Sequence, residues 1–296
     1  MERVPAEAAP RADPRPVPTT PPELCLLGGP FVLHGTRRIA VPEGSKRLLA
    51  FIALHEGRVD RRHAAGTLWP CGDDDRAAGN LRSSLWRLKG TGIDILRADK
   101  YALWLDPQAR FDVRAIDCWA GRIIDGEPCV TDLRLPRWGA DAMELLPGWY
   151  DDWVIFERER LRQRMLHALE ALSRLLVGER CYAQAIEVAL EAVRVEPLRE
   201  SAHRVLIEAH LAEGNLVEAR RIFWDYTELV RRELGVEPDP TLASLVRLTP
   251  SRSAVAGPMS GADRRPSEVA ARYTSASTGH VELAAPAGTG RATPAP

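Results

Sequence analysis

The sequence predicts a mainly α-helical protein with small β-sheets, in which a winged helix-turn-helix domain precedes an all-α, tetratricopeptide-like domain. Two patterns and one imbalance lead there. Residues 23–108 run in the order strands, three helices, hairpin, which is the element order of a winged helix. Residues 109–249 are dominated by long amphipathic stretches, and a short motif returns after 34 residues. Charge nearly cancels over the 296 residues, at a formal net of −1, yet it separates by segment. Residues 23–110 carry a net of +4 and residues 111–249 a net of −7.

The first 22 residues include seven prolines and little that is large and apolar, so a disordered or extended leader is expected there. Leu24–Leu27 and Phe31–Leu33 then read as short strands around Gly28-Gly29-Pro30, and His34-Gly35 turns the chain into Arg38–Val41. Ser45 is placed to cap a helix through Leu54, with Leu48, Phe51, Ile52 and Leu54 on its buried side. Asp60 caps a second helix that runs to Trp69 and stops at Pro70. Asp73-Asp74-Asp75 precedes a third, Arg76 to Lys89, ended by Gly90 and Gly92. Ile93–Leu96 and Tyr101–Leu105 flank Arg97–Lys100 as a hairpin.

Within residues 111–249 long amphipathic stretches dominate. Trp153–Leu176, Tyr182–Val195, Leu198–Ala212 and Leu216–Leu234 are amphipathic, with breaks at Gly178, Pro197, Gly214 and Gly235. Tyr182-Ala183-Gln184-Ala185 lines up with Leu216-Val217-Glu218-Ala219, the tetratricopeptide period with a small alanine where paired helices approach. Residues 250–296 are rich in Ala, Gly, Ser, Thr and Pro and are expected to form a flexible tail.

Several classes of function are excluded or left unsupported by composition. The longest apolar run, Leu48–Leu54, is far short of the roughly 20 residues of a membrane helix, and no secretory signal is visible. Five scattered cysteines without CxxC spacing suit free thiols in a reducing cytosol. No GxSxG, HExxH or phosphate-loop motif occurs, and no histidine joins cysteines at zinc spacing. The expectation is a protein that is not an enzyme, with no metal and no cofactor.

The third helix carries the sharpest candidate site. On a 100° wheel Ala77, Ala78, Leu85 and Leu88 fall within about 60° of Leu81, which makes the buried stripe. Arg76, Asn80, Ser83 and Arg87 fall in a narrow sector opposite, with Arg82 on one flank. Arginine pairs with guanine or clamps phosphate, asparagine pairs with adenine and serine serves either, so this order suits a major groove. A solvated polar face is the alternative on any helix; the surrounding element order and local positive charge favour the groove. Arg97 and Lys100 at the hairpin are expected to meet the adjacent groove or phosphates, with Asp99 opposing them. Lys46 and Arg47, at the start of the first helix, either hold a phosphate or are ordinary surface charge. Asp73, Asp74 and Asp75 read as a helix cap that repels phosphate, leaving the loop free for a protein partner rather than a metal.

Three stretches then become familiar together: Leu48-Leu49-Ala50-Phe51-Ile52-Ala53-Leu54, Ala65-Gly66-Thr67-Leu68-Trp69-Pro70, and Asn80 through Leu88. They resemble the DNA-binding half of the Streptomyces antibiotic regulatory protein family, whose winged helix is of the response-regulator type. Leu146-Pro147-Gly148-Trp149-Tyr150-Asp151-Asp152-Trp153 and Leu234-Gly235-Val236-Glu237-Pro238-Asp239-Pro240 resemble the start and the closing motif of the bacterial transcriptional activator domain that follows it. The resemblance covers residues 23–248. It implies a domain order of leader 1–22, winged helix 23–108, activator domain 109–249 and tail 250–296, and a short-form member with neither a receiver domain nor a nucleotide-binding region.

The resemblance also implies a sequence-specific activator of a secondary-metabolite (antibiotic) gene cluster, cytoplasmic and nucleoid-associated. Its partners would be double-stranded DNA carrying direct repeats, on which it sits as a homodimer, and RNA polymerase with its sigma factor. The motif-matched recognition stripe runs from Arg82 to Lys89 and includes Arg87. A tetratricopeptide-like adaptor with a winged helix that does not bind DNA is the alternative reading; it would give no salt-dependent promoter footprint.

Overall fold

The computed structural model describes residues 21–55, 57–135 and 144–247. Two compact units divide these residues. The first holds the described residues up to Arg122 together with those from 144 to Ala168, and the second holds Ile123–Leu135 and the residues from Leu169 onward.

The first unit opens with β1 (Glu23–Cys25), β2 (Phe31–His34) and β3 (Arg37–Ala40), an antiparallel meander. Positive φ angles at Gly28 and Gly29, +75° and +111°, turn the chain between β1 and β2, where a side chain would be strained. Three helices follow: α1 (Glu43–Leu54), α2 (Arg61–Leu68) and α3 (Asp74–Lys89). A three-stranded sheet closes them, in the order β4-β6-β5, from β4 (Val59–Asp60), β5 (Leu96–Ala98) and β6 (Ala102–Leu105). The order is that of a winged helix, as the sequence predicts. Leu48, Phe51 and Ile52 of α1 meet Ala64, Ala65 and Leu68 of α2, Ala77 and Leu81 of α3, and Leu103 of β6 in one core.

The first sheet does not end at residue 108. β7 (Arg110–Phe111) adds to it in parallel with β1, through Glu23↔Arg110 and Leu24↔Phe111. Directly after it, α4 (Asp112–Ile124) begins with a buried aspartate whose Oδ2 accepts the N–H groups of Leu26 and Leu27 at 2.8 and 2.9 Å. Burial pushes the Asp112 carboxyl up to about 6 against the pull of those donors. Trp153, near the start of α5 (Asp152–Gly178), packs edge-on against Phe51 at 5.3 Å. Arg160 and Arg164 of α5 hold Asp117 of α4 at 3.0 and 3.1 Å. β7 and α4 thus fold into one compact unit with the winged helix that precedes them, because strand pairing joins segments far apart in the chain.

The second unit stacks helical hairpins: α6 (Tyr182–Val195), α7 (Glu200–Glu213), α8 (Leu216–Leu234) and the short α9 (Pro240–Arg247). Ala185, Ala189, Ala192, Ala202, Ala209 and Ala219 are fully buried, and their small side chains allow the backbones to approach. Gly214 and Gly235 end α7 and α8 in the left-handed region. Glu170 is buried too, and both Arg199 and Ser201 reach its Oε1 at 2.6 Å.

The structure revises several of the expected elements. α1 starts at Glu43, with Pro42 at its N-cap and no side-chain cap, so Ser45 is not a cap; it is buried inside the first turn. α3 starts two residues before Arg76 because Asp73 caps it, accepting the Arg76 N–H at 2.8 Å. α7 starts at Glu200 rather than Leu198, whose carbonyl instead accepts the Tyr226 hydroxyl. β4, β7, α4 and α9 are additions to the sequence reading. The expected leader through residue 20 and the tail beyond 247 lie outside the described residues.

Candidate nucleic-acid interface

Two serines seat α3 on α1. The Ser45 hydroxyl donates to the Ser84 carbonyl at 2.7 Å, and the Ser84 hydroxyl donates to the Gly44 carbonyl at 2.6 Å. Both residues are buried, so the pair leaves neither hydroxyl unsatisfied. A Cβ on Gly44 would stand 2.3 Å from an Arg87 Nη, so the Arg87 guanidinium lies directly over the start of α1. The glycine makes that approach possible.

With Ala77, Leu81, Ser84 and Leu88 facing inward, the opposite side of α3 is free. Arg76, Arg82, Ser83, Arg87 and Lys89 are exposed and Asn80 is half-buried. The structure brings these six predicted residues onto one helix. Among the described residues none of the four cations has a carboxylate partner, because no acid stands at the i−3 or i−4 position of Arg82, Arg87 or Lys89. Asp73, three before Arg76, spends its carboxylate on the backbone. Asp74 and Asp75 are exposed in the first turn, where they complement the helix dipole. Trp86, 77% exposed, stands on the same side as Arg82 and is far more open than an indole normally is.

The wing is differently made. Arg97 lies within β5, opposite Trp104, and not at the tip. Its guanidinium binds Asp94 at 2.8 Å and Asp106 at 2.9 and 2.5 Å, and these bonds raise its affinity for its proton. The turn itself is Asp99-Lys100-Tyr101. The Asp99 carboxylate accepts the N–H groups of Ala102 and Tyr101 at 2.7 and 2.8 Å, which holds it below the usual carboxylate range. It also pairs with Arg58, which lies 4.0 Å from the centre of the Trp104 ring. Lys100 and Tyr101 are left exposed at the tip, the ammonium 5.3 Å from the ring centre.

At the start of α1, Lys46 pairs with Glu43 at 2.6 Å and Arg47 pairs with Asp151. Both cations sit where the sequence placed them, each with a carboxylate partner. Arg58 and Trp86 were not legible as site residues: the first has no local periodicity to flag it, and the second reads as one more apolar residue on a helix flank. Among the described residues no cluster of His, Cys, Asp or Glu is arranged to hold a metal ion, and no helix is long and apolar enough to cross a membrane.

A winged helix with an unneutralised basic helix on its surface, followed by stacked helical hairpins, defines a class of transcriptional regulator. Residues 109–247 match the bacterial transcriptional activator domain. The chain is 32% identical over 111 residues to regulatory protein AfsR of Streptomyces griseus, a stretch covering 38% of this chain and 11% of that protein. It is 27% identical over 212 residues to regulatory protein AfsR of Streptomyces coelicolor, covering 68% and 21%. The chain therefore spans a minor part of the length of these relatives. The solved structure of Mycobacterium tuberculosis EmbR in complex with a low affinity phosphopeptide shares the fold, with a TM-score of 0.56 at 18% identity over 76% of this chain and 64% of that one. Residues 109–247 thus form a bacterial transcriptional activator domain behind a winged helix, and the chain is similar over part of its length to AfsR-like regulators.

Proposed function

We propose that the protein is a sequence-specific DNA-binding transcriptional activator that lays α3 in the major groove. The observation that carries this reading is the free face of α3: Arg76, Arg82, Arg87 and Lys89 exposed without carboxylate partners, with Asn80 and Ser83 between them. Free guanidinium groups and one amide in register supply both phosphate clamps and base readout. Lys100, beside Tyr101, is the wing's contact to the neighbouring backbone. Arg97, Lys46 and Arg47 meet phosphate only by exchanging a carboxylate for it, so they add less.

The net surplus of +4 on residues 23–110 is small for a DNA-binding module. Two copies on a direct-repeat operator double the electrostatic contribution, and the acidic character of residues 111–249 keeps the remainder of the protein off the duplex. The resemblance to the Streptomyces antibiotic regulatory protein family supports a secondary-metabolite gene cluster as the target and a cytoplasmic, nucleoid-associated location. Asp74 and Asp75, exposed in the first turn of α3, are the proposed contact to RNA polymerase and its sigma factor; Asp73 supports them as the cap.

A promoter footprint titrated against salt tests the reading. Each phosphate neutralised contributes a slope of about −0.9 in log K against log salt, so four to five contacts per copy give about −4. A protein that binds only other proteins gives no footprint. In a reconstituted transcription assay, Asp74→Lys with Asp75→Lys is expected to leave the footprint intact and reduce transcript severalfold. Loss of footprint and transcript together would remove the separate polymerase surface.

A further inference from the structure

Within the first unit, away from α3, the fold forms a half-open cleft of about 420 Å³. It lies where the C-terminal end of α1, strand β6 and the start of α4 converge. Ile52, Trp104, Phe111 and Val113 give it apolar walls. A volume of this size is typical of sites that take small organic molecules, and such sites combine apolar walls with a few polar groups.

The charged groups at its wall are not equivalent. Asp106 is bound by Arg97, and Asp117 by Arg160 and Arg164. Arg58 is engaged by Asp99 and stacked on Trp104, and Arg160 also holds Glu157. Arg114, in the first turn and a half of α4, is exposed and has neither an ion pair nor a hydrogen bond among the described residues. The acids around the cavity are therefore neutralised from within the fold, and one wall guanidinium keeps its charge for something else.

The geometry points to a binding site for a small organic anion: an apolar, preferably aromatic body seated between Trp104 and Val113, with its carboxylate or sulfonate paired to Arg114. No other proposed role of the protein uses this cavity. Its walls include the strand that carries the wing, and Asp106, which anchors Arg97, is one of its lining residues. An occupant thus touches the elements that position the DNA-facing wing without touching DNA.

The probe for the test is 1-anilinonaphthalene-8-sulfonate, titrated into the full chain while its fluorescence is followed, with N-phenyl-1-naphthylamine as the uncharged counterpart. Saturable binding at one site per chain is expected. Ala109→Trp, which puts an indole into the cavity from the half-buried link before β7, should abolish it. Arg114→Ala, an exposed substitution that leaves the core untouched, should weaken the sulfonate about tenfold, leave the uncharged probe unchanged, and be rescued by Arg114→Lys. Absence of a saturable site overturns the proposal. So does sulfonate binding that survives Ala109→Trp, or an Arg114→Ala variant that binds both probes as the unaltered chain does. Circular dichroism of each variant separates these outcomes from loss of fold.

Discussion

α3 and the helices of the second half of the chain are built from the same residue types and treat their arginines in opposite ways. On α5, α6 and α8 an arginine is matched by a glutamate three residues earlier: Glu157 with Arg160, Glu159 with Arg162, Glu191 with Arg194, Glu218 with Arg221. These i,i+3 pairs bind at 2.6–2.8 Å and cancel their own charge. On α3 the corresponding positions hold Gly79 and Ala78 before Arg82, and Ser84 and Ser83 before Arg87. On α3 the helix withholds glutamate and its cations stay unpaired, and charge that is not neutralised within the fold is what a polyanion can use.

Removing the free charges should have the largest effect. Arg82→Ala combined with Arg87→Ala is expected to weaken operator binding by about 2–6 kcal/mol, since a groove contact by arginine is worth about 1–3 kcal/mol and the two sites are separate enough to add. The matched control, Arg194→Ala with Arg221→Ala, removes the same formal charge from paired positions and should shift affinity less than twofold. A gel-shift titration that finds equal losses for both double variants would dissolve the contrast between the two classes of helix.

Much of this contrast was legible in the sequence, and its limits follow from distance along the chain. The α3 face is readable because caps and heptad-like spacing are local: Asp73 stops the chain before it, Gly90 ends it, and the wheel sorts Leu81 from Arg87. The bounds of α6 and α8 agree with their periodicity to the residue, for the same reason. What the sequence withholds is pairing across the fold. Asp151 reaches Arg47 from 104 residues away, and Ser84 meets Ser45 from 39. The side chain of Ser45 looks like a cap because a serine before an apolar run usually is one; here Pro42 starts the helix and the hydroxyl is used to lock α1 to α3. Arg97 looks like a free wing cation until the hairpin register puts Asp106 beside it. β7 is invisible to any local pattern, since two residues carry no period and its partner, β1, lies at the other end of the module.

A smaller and more discriminating change would give α3 the pattern of the other helices. Gly79→Glu places a carboxylate three residues before Arg82, and the site has room, since the nearest atom to an added Cβ is an Arg82 Nη at 3.7 Å. Replacing a glycine inside a helix stabilises it by about 0.5–1 kcal/mol, so the melting temperature should rise. Pairing Arg82 should at the same time weaken DNA binding about tenfold. Gly79→Gln supplies the same helix stabilisation without the charge and should leave affinity close to that of the unaltered chain. Opposite signs for stability and binding in the Glu variant alone would tie the free arginine to function; a parallel fall in both would show that the glycine is needed for the fold.

The smallest effect is expected on the wing, where the two kinds of arginine are closest together. Arg97 and Lys100 were equivalent in the sequence, two cations on one hairpin, but only Lys100 stands at the turn without a carboxylate. Arg97→Ala should therefore change operator affinity less than twofold, while lowering thermal stability through the loss of its bonds to Asp94 and Asp106. Lys100→Ala should cost more binding and little stability. Asp106→Asn supplies the reverse test: with its stronger partner neutralised, Arg97 is released toward solvent, and DNA binding at low salt should tighten. Its effect should shrink as salt rises, because an exposed charge separated from phosphate by a flexible side chain is screened over about 8–10 Å at physiological ionic strength. If Arg97→Ala instead weakens binding as strongly as Arg87→Ala, then internal pairing does not withdraw a cation from the interface, and the distinction drawn from the glutamate pattern of the helices fails at the wing.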